Sequence, residues 1–110
     1  MAGKRPPFSD GDIPDVALVI LLTLSEPRHG YSIMQLVEDR TEGAMTLGPA
    51  SMYTTLKKLS EAGFIEEVES DDRRRLYRIT EAGAAAAERN VARRRQFLAW
   101  ADQLLQEVRQ

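Results

Sequence analysis

The 110-residue chain predicts a mainly α fold with one small β-hairpin and a long closing helix, on three observations. Apolar residues recur at helical spacing in three successive segments between Pro14 and Gly63. The period changes after Phe64, where two β-favourable stretches flank a charged turn. Beyond Thr80 a run rich in Ala and Arg continues almost to the last residue. The length suits one domain, since autonomous domains run to roughly 100–150 residues.

Residues 1–11 (MAGKRPPFSDG) combine glycine, a proline pair and mixed charge around one large apolar side chain, and are read as a flexible N-terminal arm. Asp12 or Ile13 then caps a first helix that opens near Pro14 and runs through the apolar block Val16 to Leu24 toward Ser25, where Pro27 forbids simple continuation. The second helix spans Tyr31 to Arg40, with Ile33, Met34, Leu36 and Val37 at helical spacing, and ends by Gly43. Leu47-Gly48-Pro49 starts a third, in which Met52, Leu56 and Leu59 form the inward row and Gly63 is the C-terminal glycine. Ile65 to Glu69 and Leu76 to Thr80 make the hairpin around Ser70-Asp71-Asp72-Arg73-Arg74. Thr80 with Glu81 opens the long helix, which runs to about Val108 with Gly83 a weak point near its start.

Composition narrows the function classes. With 43% hydrophobic and 29% charged residues the chain is ordinary for a globular protein. It has no cysteine and a single histidine, His29, so thiolate chemistry, Cys-based metal sites and His-driven catalysis lack their raw material; no metal, no cofactor and no enzymatic activity are expected. His29 and Tyr31, beside Gly30, are read as local packing and hydrogen-bonding residues at a helix start. The longest apolar run is 9 residues (Val16 to Leu24), against the ~20 that span a bilayer. Asp10, Asp12 and Asp15 interrupt any signal-peptide pattern, and a reducing cytoplasm is the expected location, with no membrane partner. The net charge of -2 and pI near 5.4 advertise no polyanionic partner in bulk, so any such partner must be met by a local patch.

Three helices followed by a hairpin is the order of a winged helix-turn-helix, with the third helix as recognition element. The boundaries read 12–80 for that domain and 81–110 for the closing helix. The residues His29-Gly30-Tyr31, Pro49-Ala50-Ser51-Met52-Tyr53, Leu56-Lys57-Lys58-Leu59-Ser60-Glu61-Ala62-Gly63-Phe64-Ile65 and Arg75-Leu76-Tyr77-Arg78-Ile79-Thr80-Glu81-Ala82-Gly83 closely resemble the PadR family of bacterial transcriptional regulators, continuously from about Val16 to Gly83. The resemblance implies a winged-helix DNA-binding domain with a C-terminal dimerisation helix, in the short branch that has one such helix. It also implies repression, often relieved by a small molecule. Ala50 stands where glycine is common in the family, Met52 where leucine is, and Leu76 where a second tyrosine is frequent.

On the third helix, Ser51, Thr54 and Thr55 offer hydroxyl groups and Lys57 and Lys58 offer charge, away from the Met52, Leu56 and Leu59 row. On spacing alone a solvated helix face is the simpler account; the element order and the resemblance reverse that. For Tyr53 two readings stand, a core aromatic whose hydroxyl reaches a phosphate and core packing without function, and the resemblance favours the first. At the hairpin tip Arg73, Arg74 and Arg75 suit a backbone or a minor groove. Over residues 47–79, however, Lys57, Lys58, Arg73, Arg74, Arg75 and Arg78 are balanced by Glu61, Glu66, Glu67, Glu69, Asp71 and Asp72. Binding therefore requires that geometry separate the signs, with the basic residues toward the duplex and the strand glutamates away from it.

The closing helix repeats Ala84, Val91, Leu98 and Leu105 at sevens, with Ala87, Arg94, Ala101 and Val108 three later. Phe97, Trp100 and Leu104 widen this stripe, which exceeds what a small domain covers and points to a homodimer through Val91, Phe97, Leu98, Ala101, Leu104, Leu105 and Val108. Arg94 interrupts the stripe; pairing with an acid across the interface and snorkelling outward both remain open. Trp100 and Phe97 are read two ways, as interface anchors and, by the resemblance, as walls of a pocket for a small aromatic effector. The expected function is thus a sequence-specific, homodimeric DNA-binding repressor on an inverted-repeat operator in double-stranded DNA. The competing reading is a winged-helix protein-interaction module without specific DNA binding.

Overall fold

The computed structural model describes residues 5–69 and 74–110. Three helices, α1 (Asp15–Leu22), α2 (Gly30–Arg40) and α3 (Pro49–Glu61), precede an antiparallel hairpin of β1 (Ile65–Val68) and β2 (Leu76–Ile79). A 28-residue helix, α4 (Glu81–Val108), closes the chain. This is a winged helix-turn-helix followed by one long helix, in the element order that the hydrophobic periods dictate. The tip arginine Arg73 lies outside the described residues.

α1 is apolar on nearly every side and is the centre of the domain, with Ala17, Leu18, Ile20 and Leu21 buried. Around it close Ile33 and Val37 of α2, Met52, Leu56 and Leu59 of α3, and Ile65 and Tyr77 of the hairpin. α1 stops at Leu22, short of the expected Ser25, because Thr23 turns its hydroxyl back to Ile20 O (2.6 Å) and the chain then extends alongside β2. Ile79 N–H donates to Leu24 O (2.9 Å), and Arg28 and Tyr77 exchange backbone hydrogen bonds of 3.0 and 2.8 Å. The Pro27 break is therefore a short third rung on the hairpin, which anchors the start of α2 to the wing.

The segment before α1, expected as a flexible arm, lies on the body from Phe8 onward. The Phe8 ring stacks on Phe64 with centroids 6.2 Å apart, and Ile13 is buried in the core. The buried amide of Asn90 on α4 supplies the rest: its Oδ1 accepts from Ile13 N–H (2.9 Å) and its Nδ2 donates to Gly11 O (3.0 Å). Arg94, one turn on, donates to Ile13 O (2.7 Å) and pairs with Asp15 at 2.8 Å. Neither reading of Arg94 from sequence holds, since it is spent within its own chain on clasping the entry to α1. The carbonyl of Ile13 and the Asp15 carboxylate lie within its reach, and a guanidinium satisfies both at once.

Gly83 is likewise a requirement rather than a weak point. Thr80 caps α4, accepting from Gly83 N–H at 3.0 Å, while its own N–H donates to Phe64 O (2.9 Å) and its hydroxyl to Gly63 O (2.7 Å). These bonds draw the first turn of α4 so close to the hairpin base that a Cβ on Gly83 would sit 2.1 Å from Phe64 O and 2.9 Å from Ile79. Helix propensity alone predicts that Gly83→Ala gains about 1 kcal/mol. The overlap with backbone predicts the opposite sign, a loss of about 1–3 kcal/mol or more. Urea unfolding followed by circular dichroism decides: Gly83→Ala is expected to lower the midpoint, and a raised midpoint contradicts the close approach.

Candidate nucleic-acid interface

α3 opens at Pro49, with no acidic residue in its first turn to offset the partial positive charge of the helix end. At ~100° per residue, burial of Met52, Leu56 and Leu59 turns Thr54 to the outermost position, with Lys57 and Tyr53 toward one flank and Lys58 and Ser51 toward the other. Ser51, Tyr53, Thr54, Lys57 and Lys58 are exposed, and Thr55 is half-buried. The two threonine hydroxyls are not outward donors, because Thr54 donates to Ala50 O and Thr55 to Ser51 O, each at 2.9 Å. They present methyl groups and an acceptor lone pair, a surface fitted to apolar and acceptor contacts with base edges rather than to donation.

Tyr53 is half exposed, at 51%, so it is not a core aromatic. Its ring lies across the start of α2, where a Cβ on Gly30 would come within 2.7 Å of both the Tyr53 hydroxyl and Met52 Cε. Gly30 thus admits α3 to close approach and leaves the Tyr53 hydroxyl at the rim between α2 and α3.

Strand alternation sorts the hairpin charges. The register pairs Glu67 with Tyr77 and Glu66 with Arg78, so the two pairs point to opposite faces. Arg78 and Glu66 form an ion pair on the outer face. Arg75, two residues before Tyr77, falls on the inner face with Glu67, its Nη1 at 3.7 Å from the Glu67 carboxylate. Arg74 has the other parity and reaches back to α2, its Nη1 at 3.3 Å from His29 Nε2. The expectation that the strand glutamates all turn away from the recognition side fails for Glu67, because a two-residue period must send one of two adjacent glutamates inward.

Between α3 and the wing lies a depression of about 300 Å3 whose walls include Tyr53, Lys57, Ser60, Glu67, Arg75 and Tyr77. Burial raises the pKa of the Tyr77 hydroxyl; a hydrogen bond from Arg75 opposes the rise and the charge of Glu67 adds to it. Tyr77 therefore stays protonated and shares Arg75 with Glu67. Of the expected residues, Tyr53, Lys57 and Arg75 meet here, Thr54 and Lys58 lie beyond on the same helix, and Arg74 stands apart against His29. Sequence reasoning missed Glu67, Tyr77 and His29 as members of this surface. Alternation from the buried Ile65 to Glu67, and from the half-buried Ile79 through Tyr77 to Arg75, is the signal available for the first two.

α4 has two different halves. Gly83, Ala86, Ala87 and Asn90 are buried against the domain. Phe97, Leu98, Trp100, Leu104, Leu105 and Val108 are between 57% and 76% exposed. Val91 and Ala101 are half-buried between those extremes. Val91 also joins Leu21, Leu22, Ile79, Ala84 and Ala87 around an open groove of about 490 Å3. No helix among the described residues is long and apolar enough to cross a membrane.

Comparison with known proteins agrees with this architecture. Residues 18–89 match the transcriptional regulator PadR-like family. An uncharacterised protein of Lysinibacillus sphaericus is 30% identical over 73 residues, covering 63% of this chain and 67% of its own length. The transcriptional regulator YqjI of Escherichia coli is 35% identical over 77 residues, covering 69% of this chain, which spans only 37% of that regulator. Among solved structures, a transcriptional regulator from Clostridium thermocellum superposes with a TM-score of 0.72 at 21% identity, over 80% of this chain and 87% of that one. With the family model running from Leu18 within α1 to the first turns of α4, α3 and the hairpin included, the chain belongs to the PadR-like family of transcriptional regulators.

Proposed function

We propose that the chain is a homodimeric repressor that grips an inverted-repeat operator in double-stranded DNA through α3 and the wing, and releases it when a small aromatic or apolar effector binds beside α4. The observation that carries the DNA reading is the outward face of α3, with Thr54 flanked by Lys57 and Lys58, and Lys57 bordering one depression with the wing arginine Arg75. Ser51, Tyr53 and Thr55 border that face. The methyl groups of the threonines supply apolar base contacts, the cations supply phosphate contacts, and Tyr53 supplies a neutral donor at the rim. A family of transcriptional regulators supports the same assignment.

The dimer reading rests on the distal half of α4. Covering a Leu- or Phe-sized side chain is worth about 1.5–3 kcal/mol, against an association cost of about 4–15 kcal/mol. A few contacts do not suffice, but Phe97, Leu98, Ala101, Leu104, Leu105 and Val108 from two copies, with Val91 at the groove, exceed the cost when most of that face is covered. Two recognition helices then address half-sites about one helical turn apart. Phe97 and Trp100 in such a dimer form an apolar, aromatic-walled space for a planar effector, and the absence of cysteine suits a reducing cytoplasm.

Electrophoretic mobility shift on the protein's own upstream DNA, with a scrambled duplex as control, tests the first part. Lys57 and Lys58 from two protomers give a slope of log K against log salt of about -4, and engagement of Arg74 and Arg75 as well takes it to about -7. Salt-insensitive binding overturns the reading, and a folded dimer with no selective shift transfers the assignment to a protein-interaction module. Tyr53→Phe keeps the ring over Gly30, so its thermal unfolding is expected to be unchanged while DNA affinity of the dimer falls by about a hundredfold, the worth of one hydrogen bond to a charged group in each protomer; unchanged affinity removes Tyr53 from the contact set. Leu105→Glu is expected to give a folded monomer by analytical ultracentrifugation with Trp100 emission shifted to the red. In the wild-type dimer, aromatic cations or phenolic acids are expected to quench that emission and weaken the shift, and a panel without effect on either removes the effector.

A further inference from the structure

The recognition face carries an acid that the DNA reading does not use. Glu67 lies on the inner face of the wing, opposite Tyr77 in register, beside the depression that Tyr53 and Lys57 also border. It shares that face with Arg75, which it meets at 3.7 Å, while both side chains keep solvent access at 54% and 73%. The neighbouring Glu66 is bound to Arg78 on the opposite face, where it has no bearing on a ligand of α3. Glu61, at the end of α3, adds a second negative group to the border of the depression.

An exposed ion pair of this kind is weak and exchangeable, worth at most about 1 kcal/mol. A duplex phosphate arriving between α3 and the wing presents the same chemistry as the Glu67 carboxylate, two anionic oxygens for one guanidinium. Tyr77 borders the depression together with Arg75, opposite Glu67 in register, so the guanidinium remains beside the depression while its anionic partner is exchanged. We propose that Glu67 is an internal competitor for DNA phosphate: it occupies Arg75 in the free protein, yields it on binding, and so restrains affinity for duplex of any sequence. The inference rests on the DNA-binding reading above and adds a residue that lowers affinity for duplex whatever its sequence, because the same ion pair is given up in selective and unselective complexes alike.

The test compares wild type, Glu67→Gln, Glu66→Gln, Arg75→Gln and the Glu67→Gln/Arg75→Gln double variant on the upstream and scrambled duplexes across a salt series. Glu67→Gln is expected to tighten binding to the scrambled and upstream duplexes alike by about fivefold, and to steepen the salt slope by up to about two per dimer. Glu66→Gln, on the outer face, is expected to match wild type. In the Arg75→Gln background Glu67→Gln is expected to lose its effect, because the competitor acts through that guanidinium. A gain equal to that of Glu66→Gln, a gain that persists without Arg75, or no gain at all overturns the proposal.

Retention on heparin separates this inference from the DNA reading, because it measures polyanion affinity of the same face without an operator. Later elution of Glu67→Gln than of wild type and Glu66→Gln supports the competitor even where no duplex is bound selectively; coincident elution rejects it even where the operator is bound. Both glutamates are solvent-exposed, so the variants are expected to fold, and coincident thermal unfolding curves establish that the comparison is of charge alone.

Discussion

Thr80 joins elements that are separate in sequence, and the placement of the interface depends on it. Its backbone and side chain bond to the residues between α3 and β1, it ends β2, and it caps α4. With Gly83 pressed against Phe64 O, the end of the recognition helix, the base of the wing and the start of α4 share one knot of hydrogen bonds with no space for a methyl group. Leu105 lies about 33 Å along α4 from Gly83 at 1.5 Å per residue. In the proposed dimer a small rotation between two α4 helices is therefore carried to the recognition helices by rigid backbone, without any intervening hinge to absorb it.

A second tie, two turns further along α4, prevents that helix from pivoting on the first. Asn90 is buried, yet its amide is satisfied at both ends, donating to Gly11 O and Ala86 O and accepting from Ile13 N–H. Desolvation of an amide is costly only when partners are missing, and here the partners belong to the segment that the bonds hold in place. Arg93 and Arg94 extend the clasp to Asp12 and Asp15. The clasp also marks a division of α4: up to Arg94 its inward residues serve the domain, and from Phe97 onward its large apolar side chains are more than half exposed. The heptad stripe is continuous in sequence because a helix surface is continuous, whereas what covers it changes midway.

Periodicity made the helices and hairpin legible because each has one buried face whose spacing is a property of the backbone. Met52, Leu56 and Leu59 declare α3 before any tertiary contact is known, and the switch to alternation at Ile65 declares the wing. What periodicity does not carry is reach. The Arg94–Asp15 pair joins residues 79 apart and the His29–Arg74 contact joins residues 45 apart, and nothing local marks either. The same limit explains Gly83, a poor helix former by local rule and a necessary one once Phe64 O is known to sit above it. Of the interface, the residues of α3 are ranked by angle and Glu66 is sorted from Glu67 by alternation from Ile65, whereas the side chains they meet across the hairpin follow only from its register.

Charge balance is then an operating feature of the recognition side rather than an argument against DNA. At physiological ionic strength fields fade over about 8 Å, so the overall charge of -2 matters less than the order of signs within that distance. There Lys57 and Arg75 stand beside Glu61 and Glu67 around one depression, and their charges balance. A face of this kind forgoes part of the long-range attraction to any duplex and leaves the proposed short-range contacts of Thr54, Tyr53 and the exchangeable Arg75. Selectivity is a ratio of two affinities, and the free energy lost in releasing Arg75 from Glu67 is common to every sequence, so in the proposed complex it is the base contacts of α3 that carry the selectivity.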